Sequence, residues 1–268
     1  MLYIITTVVN NPKFIELQHK TLKKYIKGEY EFIVFNDAKK FPDFTNYGNP
    51  QISMLIQNTC SNLGIKCIPV PNSNHMFNKD AAKRCADTHN FVLDYMIKIP
   101  GKYLSIDSDM FLISEFNTLK FDNYDVAIVP QIRGHIKYFW NGIYYFNTLI
   151  MNNQKMLKWD CGLIEGEQTD VGGSMYHWLN NTTQDCIYTI KHFPSLTWEE
   201  KDLPNHINSN ILSFCKNDTR NENNKFFSEL YDNTWFHYRA GGNWRGEGAN
   251  IQLKLTNELE HTINNMVN

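Results

Sequence analysis

The sequence predicts an α/β fold in which a mostly parallel central sheet carries helices on both faces. Short apolar runs alternate with longer amphipathic segments through the first half of the chain, as parallel strands and crossover helices require. The chain has 268 residues, of which 42% are hydrophobic and 20% charged, a composition typical of a globular protein with an ample core. Neither an internal repeat nor a linker is evident, so we expect one domain over residues 1–268.

The first half contains four predicted strands and three predicted helices. Pro12 suits the first turn of the first helix, and Gly64 suits the end of the second. The strands are LYIITTVV (2–9), YEFIVFND (30–37), IKCIPV (65–70) and KYLSID (102–107). The helices are PKFIELQHKTLKKYI (12–26), ISMLIQNTCSNLG (52–64) and NKDAAKRCADTHNFVLDYMIKI (78–99).

The second half is less regular. Strands are predicted for DVAIVPQI (125–132) and GIYYFNTLIM (142–151), and a helix is predicted from Gln168 to Leu179. The stretch from Pro194 to Phe227 is polar and loop-rich. A glycine-rich segment, WFHYRAGGNWRGEGAN (235–250), precedes a closing helix, IQLKLTNELEHTINNMV (251–267).

Charge and cysteine content argue against several classes of protein. The balance of 26 basic against 28 acidic residues gives a net charge of −2, which disfavours a broad polyanion-binding surface. The six cysteines are scattered without a C-x-x-C pair, which disfavours a zinc ribbon and indicates a reduced compartment. We find no signal-peptide pattern and no apolar run long enough for a transmembrane segment. The expected location is cytoplasmic, or the host cytoplasm if the Asn-, Lys- and Ile-rich composition reflects a viral gene.

Polar residues lie at the carboxyl ends of three predicted strands. Thr6 and Thr7 come late in the first strand, Asn36–Asp37 end the second, and Asp107–Ser108–Asp109 follow the fourth. In open α/β sheets, ligands bind in the crevice outside these ends. The sequence therefore predicts a ligand site at this edge of the sheet.

The paired aspartates in YLSIDSDMFLI (103–113) indicate the chemistry of that site. Carboxylates are rarely buried without a partner, and their oxygens suit hard divalent cations such as Mg²⁺ and Mn²⁺. A diphosphate beside Asp107 and Asp109 would complete the coordination of such an ion. On these residues alone, an aspartate turn or a helix cap is the simpler explanation.

In this context the chain resembles the GT-A-fold glycosyltransferases that use nucleotide-sugar donors, especially the glycogenin-like family 8 and its relatives. Four segments match in order and together span most of the chain. They are the β/α half leading into YLSIDSDMFLI, then FWNGIYYFN (139–147), EQTDVGGSMYHWL (167–179) and HYRAGGNW (237–244). The resemblance implies that residues 1–110 bind the nucleotide and that residues 111–268 bind the acceptor.

The resemblance implies a Mn²⁺ or Mg²⁺ ion held by Asp107, Asp109 and His237. Asp109 is expected to be the direct ligand, and Asp107 to reach the ribose, the metal or both. The family usually carries a lysine before its late tryptophan, whereas this chain has Asn243. An arginine must then neutralise the diphosphate, and either Arg239 or Arg245 could do so. The residues implied at the diphosphate are Arg239, Gly241, Gly242 and Arg245.

The resemblance also implies contacts to the rest of the donor. The implied residues are Thr6, Thr7 and Val8 at the base and ribose, Asp37 at the base, and Ser108 beside the metal pair. One cation of the helix over 78–99 is expected to reach the donor. Lys79 and Lys83 share a helix face, whereas Lys83 and Arg84 cannot, and we favour Arg84.

Asp170 is the predicted catalytic residue beside the reacting sugar, with Gln168 and Glu167 behind it. The alternative is that Thr169 and Asp170 only cap the predicted helix. The acceptor is expected to meet Asn141, Trp140 and Trp244, which lie inside matched motifs.

The predicted function is therefore metal-dependent transfer of a sugar from a nucleotide-diphosphate donor, expected to be a UDP-sugar, to a hydroxyl of a glycan, glycoprotein or other acceptor. Nucleic acid is expected only as an alternative acceptor, for example through a hydroxymethylated base of viral DNA. A nucleotidyltransferase is disfavoured because TTVVNNPKF (6–14) lacks a glycine-rich phosphate loop. An inactive nucleotide-sugar-binding module is disfavoured because it would not need a metal site.

Overall fold

The computed structural model describes residues 1–41, 49–78, 80–203, 207–241 and 249–268, without the side chains of 249–252. Within these ranges the α-helices are α1 (Pro12–Tyr25), α2 (Ile52–Leu63), α3 (Ala81–Lys98), α4 (Met175–Asn180), α5 (Ser209–Asn217) and α6 (Ala249–Val267). None of them is long and apolar enough to cross a membrane.

The strands of the first half and of the long hairpin are β1 (Leu2–Val8), β2 (Ile26–Lys27), β3 (Tyr30–Asn36), β4 (Lys66–Pro69), β5 (Lys102–Ile106), β6 (Met110–Leu112), β7 (Phe116–Asn117), β8 (Val126–Arg133) and β9 (Ile136–Asn147). The later strands are β10 (Gly162–Ile164), β11 (Glu167–Thr169), β12 (Ile187–Thr189), β13 (His192–Phe193), β14 (Glu229–Tyr231) and β15 (Trp235–His237).

The central sheet has seven strands in the order β12-β8-β9-β5-β1-β3-β4. Its neighbours pair in parallel except on either side of β9, which runs against both β5 and β8. The chain moves outward from β1 to β3 and β4, and α3 then returns it to β5 on the other side of β1. This reversal of strand order leaves a crevice at the carboxyl ends of β1 and β5. The predicted α/β fold with a mostly parallel sheet is confirmed.

Helices cover both faces of this sheet, as predicted. On one face, Ile15 of α1 and Ile56 of α2 pack into a core that includes Ile4 of β1. On the other face, Leu93 of α3 packs into a core that includes Ile5, the next residue of β1. Successive side chains of a strand point to opposite faces, so the continuous apolar run of β1 serves both cores.

A second sheet, in the order β13-β14-β15-β6, lies beside the first. It is antiparallel, and its β6 follows β5 after a short turn. A third apolar core joins Phe14 of α1, Phe111 of β6 and Phe236 of β15 to Leu259 of α6. The sequence did not predict this sheet, because its strands are only two or three residues long and carry no usable periodicity.

The prediction of a helix from Gln168 to Leu179 is wrong in its first half. Gln168 lies in β11, which forms a hairpin with β10, and the helix begins only at Met175. Gly172 and Gly173 separate the two elements. A Cβ on Gly172 would lie 1.8 Å from the Phe139 carbonyl oxygen, so the chain is tightly packed there in a non-helical path.

Two further predictions need correction. The strand predicted over 142–151 instead covers Ile136–Asn147, because a tight turn at Gly134, with φ of +54°, folds it back on β8. The loop-rich stretch from Pro194 to Phe227 contains α5, which begins after Asn208. The Asn208 side chain accepts a hydrogen bond from the backbone N–H of Asn210 and so caps that helix.

Candidate metal and nucleotide site

The two aspartates occupy the turn that joins the two sheets. The Asp107 N–H donates to the Gly142 carbonyl at 2.8 Å, which continues the pairing of β5 with β9. The Met110 N–H then donates to the Asp107 carbonyl at 3.1 Å and closes the turn. The turn, rather than an extended strand, therefore brings the two carboxylates to the same side.

Gln18 of α1 supports this turn through two hydrogen bonds. Its amide nitrogen donates to the carbonyls of Asp107 at 2.8 Å and Met110 at 3.0 Å, and the residue is completely buried. Sequence reasoning missed Gln18. The available signal was a polar residue on the apolar face of an amphipathic helix, which needs a buried partner.

Pairing of β6 with β15 places a histidine beside the aspartates. Met110 lies opposite His237, and the Tyr238 N–H donates to the Asp109 carbonyl at 3.0 Å. The His237 Nε2 lies 3.0 Å from Asp109 Oδ1 and 3.8 Å from Asp107 Oδ2. One ligand atom from each of the three residues lies within 4.8 Å of the others, so the structure brings together the three residues predicted to bind metal.

The electrostatics of this cluster are those of two acids beside one base. Desolvation and repulsion from Asp109 raise the pKa of Asp107 to about 6. Burial opposes ionisation of Asp109, but His237 and the Gly241 N–H hold the pKa of Asp109 below its usual range. Burial likewise disfavours the charged form of His237, and the neighbouring carboxylates outweigh it and raise the pKa of His237 to about 10. Such a cluster is stabilised by a positive charge at its centre.

Glu229 lies directly behind His237 and was missed by sequence reasoning. Its Oε2 is 2.8 Å from His237 Nδ1 and accepts a 2.5 Å hydrogen bond from the Tyr231 hydroxyl. Burial disfavours its charged form, yet the imidazoles of His192 and His237 hold the pKa of Glu229 well below its usual range. The available signal was YDNTW (231–235), whose Asp-Asn turn predicts a hairpin that places residues 229 and 237 opposite each other.

The backbone after β15 closes over the aspartates. The Gly241 N–H donates to Asp109 Oδ2 at 2.7 Å. A Cβ at this position would lie 2.6 Å from the Phe14 ring and 2.9 Å from Asp109 Cβ, so only glycine fits there without displacement of its neighbours. Arg239 and Ala240 before it take positive φ values of 64° and 57°.

Arg220 holds this unusual backbone path. Its guanidinium donates to the Arg239 carbonyl at 2.8 Å and to the Tyr238 carbonyl at 3.1 Å, while Asp218 pairs with it at 2.8 Å. The Arg239 side chain turns toward Glu229, with its Nε 3.7 Å from Glu229 Oε1. Arg220 itself is buried and was not predicted.

A cavity of about 300 Å³ opens beside the aspartates at the carboxyl ends of β1, β3 and β5. Its volume lies at the lower end of the range of about 300–1,000 Å³ that is usual for small-molecule sites. Seven predicted site residues line it: Thr7, Asp37, Arg84, Asp107, Ser108, Asp109 and Asn141. Asn141 reaches this edge because β9 runs antiparallel to β5.

Asp37 lies in a buried network at the end of β3. Its carboxylate accepts hydrogen bonds from Lys39 Nζ at 2.7 Å, the Asn72 amide at 2.7 Å and the Thr88 hydroxyl at 2.9 Å. Lys39 is itself buried and lines the cavity, as does Arg84 of α3. The cavity therefore carries cationic groups in addition to its carboxylates.

Asn141 is positioned by two neighbours that sequence reasoning missed. Its amide nitrogen lies 3.3 Å from His89 Nε2 and 3.5 Å from Cys85 Sγ, and both neighbours line the cavity. The His89 Nδ1 lies 3.2 Å from the Tyr144 hydroxyl. Burial lowers the pKa of His89 to about 4, so the ring is neutral at physiological pH.

Trp140 lies beside the candidate metal cluster formed by Asp107, Asp109 and His237. Its ring stacks on Tyr231 with the centroids 5.2 Å apart and lies 5.7 Å from the His237 ring. Its position next to His237 keeps it near the candidate site, although it does not line the cavity.

Several predicted residues do not line the cavity. Thr6 and Val8 are completely buried in the sheet, and Val8 belongs to an apolar core. Glu167 instead faces the tip of the β8–β9 hairpin, with Oε1 3.6 Å from His135 Nδ1. Gln168 and Asp170 are exposed.

The alternative reading of Asp170 as a helix cap does not hold. Asp170 Oδ1 accepts a hydrogen bond from the Val171 N–H, and α4 begins five residues after Asp170, at Met175, with Ser174 as its N-cap residue. Burial raises the pKa of the Cys85 thiol at the cavity, and the charges of Asp107, Asp37 and, least, Asp170 raise it further. The catalytic role of Asp170 remains a prediction.

Four predicted residues lie outside the described part of the chain. They are Lys79, Gly242, Trp244 and Arg245. The choice between Arg239 and Arg245 at the diphosphate therefore stays open.

No protein-family model matches the chain, and no curated protein matches it in sequence. Similar solved structures include the galactosyltransferase LgtC in complex with donor and acceptor sugar analogues, with 11% identity and a TM-score of 0.41 over 70% of this chain and 72% of that one. An active-site mutant of LgtC shows 12% identity and a TM-score of 0.48 over 97% and 95% of the two chains. Mouse xyloside xylosyltransferase 1 in its apo form shows 11% identity and a TM-score of 0.39 over 74% and 86%.

Proposed function

We propose that this protein is a metal-dependent glycosyltransferase that moves a sugar from a nucleotide-diphosphate donor, expected to be a UDP-sugar, to a hydroxyl acceptor. The observation that carries the proposal is the cluster of Asp107, Asp109 and His237 next to a cavity at the carboxyl ends of the parallel strands. A cation site beside such a crevice suits a nucleotide diphosphate, whose charge the cation offsets and whose base and ribose the crevice encloses.

The three side chains fit a divalent cation by their chemistry. Two carboxylates and one imidazole form a mixed oxygen and nitrogen donor set, for which Mn²⁺ is a better match than Mg²⁺. Among the described residues, His237 lies within 4 Å of both carboxylates, so the three ligand atoms converge on one point that a cation could occupy. When bound, the cation would act as a Lewis acid that stabilises the departing diphosphate.

The residues of the cavity would orient the donor. Thr7 and Asp37 at the ends of β1 and β3 are proposed contacts of the nucleoside, and Ser108 is a proposed contact near the metal pair. Arg84 is the proposed cation for the diphosphate from this side, since it is 7% exposed and lines the cavity. A guanidinium pairs well with phosphate oxygens because of its planar array of donors.

The reacting sugar and the acceptor are proposed to lie on the β9 side of the cavity. Asn141 lines this side, and Trp140 lies beside His237. We propose Asp170 as the residue beside the reacting sugar because its N–H donates to the Tyr138 hydroxyl at 3.2 Å, which holds it against β9, the strand that carries Asn141. In this arrangement the cation would stabilise the departing diphosphate, and Asp170 would steady the anomeric centre of the sugar.

The test is thermal unfolding of the pure protein with UDP, GDP, CDP or dTDP, each with Mn²⁺ or with EDTA. A nucleotide at a hundred times its Kd stabilises the fold by about 2.7 kcal/mol, which corresponds to a shift of roughly 5 °C or more. We expect this shift with one nucleotide, only with the metal, and its loss in Asp109→Asn. Asp125→Asn is the matched control, since Asp125 is buried at the opposite edge of the sheet. No shift with any of the four nucleotides would overturn the proposal.

A further inference from the structure

We propose that Glu229 is a positioning residue that fixes the orientation of His237 and strengthens it as a metal ligand. This inference rests on the proposed function, because it assumes that His237 binds a cation. Glu229 does not line the cavity, and its hydrogen bond to the candidate metal ligands is the one to the His237 imidazole.

The geometry leaves one role for each nitrogen of His237. Glu229 Oε2 lies 2.8 Å from Nδ1, and an ionised carboxylate can only accept, so Nδ1 carries the proton and donates it. On the other side of the ring, Nε2 lies 3.0 Å from Asp109 Oδ1 and donates to it in the metal-free protein. A cation bound by the two aspartates would displace that proton and use the Nε2 lone pair. A carboxylate behind a ligating histidine fixes its tautomer and ring orientation and raises its basicity.

Glu229 is itself held from several sides. It is 6% exposed, its Oε2 accepts from the Tyr231 hydroxyl at 2.5 Å, and its Oε1 accepts from the Ser195 N–H at 3.2 Å. The Arg239 Nε lies 3.7 Å from Oε1 and adds a positive charge on that side. The carboxylate cannot rotate without losing these partners, so it presents a fixed acceptor to His237.

Strand pairing alone does not require this carboxylate. Glu229 and His237 lie opposite each other at the open end of the β14–β15 hairpin, and the pairs Leu230–Phe236 and Tyr231–Trp235 lie between them and the turn. Leu230 and Phe236 are buried in the third apolar core, which anchors the hairpin by packing. Successive side chains of a strand point to opposite faces, so the packing that anchors this hairpin does not use the Glu229 carboxylate.

The experiment is a Mn²⁺ titration followed by electron paramagnetic resonance, in which free Mn²⁺ is counted directly. The proteins are the wild type, Glu229→Ala, Glu229→Gln and the control Asp125→Asn, each also unfolded in urea to measure stability. We expect Glu229→Ala to weaken Mn²⁺ binding roughly 10- to 100-fold, as is typical when such a partner is lost. Glu229→Gln should lose less, because its amide oxygen can still accept from Nδ1, and Asp125→Asn should bind as the wild type does.

The outcomes separate the two proposals. If the wild type binds no Mn²⁺, with or without nucleotide, the proposed function is overturned. If the wild type binds Mn²⁺ and both Glu229 variants bind it with the wild-type Kd, the positioning role is overturned and the proposed function stands. If Glu229→Ala does not fold, the isosteric Glu229→Gln decides, and a several-fold weaker Kd supports the role whereas an unchanged Kd overturns it.

Discussion

At the scale of single residues, the adjacent Lys83 and Arg84 differ in whether they face solvent or the cavity. They are adjacent in α3, yet Lys83 is exposed, whereas Arg84 is buried and lines the cavity. Neighbours in a helix lie about 100° apart around its axis, so only one of the two can face the site. This supports the sequence-based preference for Arg84.

Arg84→Ala should weaken binding of the donor nucleotide by about 10- to 100-fold, because a hydrogen bond to a charged group contributes roughly 1.5–3 kcal/mol. The matched control is Lys83→Ala, which should leave the affinity unchanged. Calorimetric titration with UDP and Mn²⁺, or with whichever nucleotide stabilises the protein, measures both. Equal effects of the two substitutions would contradict the assignment of Arg84.

His89 offers a test of burial that is independent of the metal. Its folded pKa of about 4 lies below the unfolded value of about 6.5, so the native state binds fewer protons between these pH values. The contribution of neutral His89 to stability is thus present above pH 6.5 and is lost as the pH falls toward 4, by roughly 3 kcal/mol in all.

Urea unfolding of the ligand-free protein at several pH values measures this loss. The difference in unfolding free energy between the wild type and His89→Gln should shrink as the pH falls from 7 to 4. His177→Gln, at an exposed position of α4, should follow the wild-type pH dependence. Parallel curves for the wild type and His89→Gln would show that burial does not suppress the charge of His89.

At the scale of elements, α1 connects the core to the site. Its Ile15 side packs on the central sheet, its Phe14 and Leu17 side packs on the second sheet, and Gln18 donates to the turn that carries the aspartates. The helix therefore fixes the position of the turn relative to both sheets.

Gln18→Leu should cost about 1–3 kcal/mol of stability, because it leaves two buried carbonyls without a donor. It should also weaken Mn²⁺ binding roughly tenfold, because the turn that carries the ligands loses its support. Gln154→Leu is the matched control. Gln154 likewise donates to two carbonyls, those of Thr148 at 2.9 Å and Met151 at 3.2 Å, but lies away from the described site residues.

Urea unfolding and the Mn²⁺ titration are run on both glutamine variants. A loss of stability in each, with a loss of Mn²⁺ affinity only in Gln18→Leu, is the expected result. The same Mn²⁺ affinity in both variants would show that the turn keeps its geometry without Gln18.

At the scale of the whole molecule, the last helix completes the third apolar core. Leu259 of α6 is completely buried, and Lys13 of α1 forms a 2.7 Å ion pair with Glu260 of the same helix. The helix packs against α1 and α5 and so covers the side of α1 that faces the second sheet. The position of α1, whose Gln18 supports the aspartate turn, therefore depends on packing by a helix at the other end of the chain.

Leu259→Ala should lower the unfolding free energy by about 2–5 kcal/mol, as is usual for a leucine deleted from a packed core. Leu253→Ala, on the same helix but with 53% of the side chain exposed, should change it by no more than about 0.5 kcal/mol. Thermal or urea unfolding measures both. Similar values for the two variants would mean that α6 does not pack as described.

The sequence by itself determined the first half of the fold and the place of the ligand edge. Residues 2–8, 30–36, 66–69 and 102–106 are strands as predicted, because hydrophobic period, length and flanking glycine or proline are all local properties. Five of the polar residues at the ends of these strands line one cavity, because parallel strands share one carboxyl edge. They are Thr7, Asp37, Asp107, Ser108 and Asp109. Both results follow from neighbours along the chain and from the geometry of parallel sheets.

Only the tertiary structure decided how the metal cluster is built. His237 meets Asp109 across 128 residues, and Gln18 meets the Asp107 carbonyl across 89. These contacts depend on the three-residue strands β6 and β15 and on the docking of α1 beneath the turn, neither of which leaves a periodic signal. Only the structure identified Glu229 as the partner of His237 and His89 as the partner of Asn141. Partners of this kind are selected by packing between distant segments, and packing energy is not a property of any local stretch of sequence.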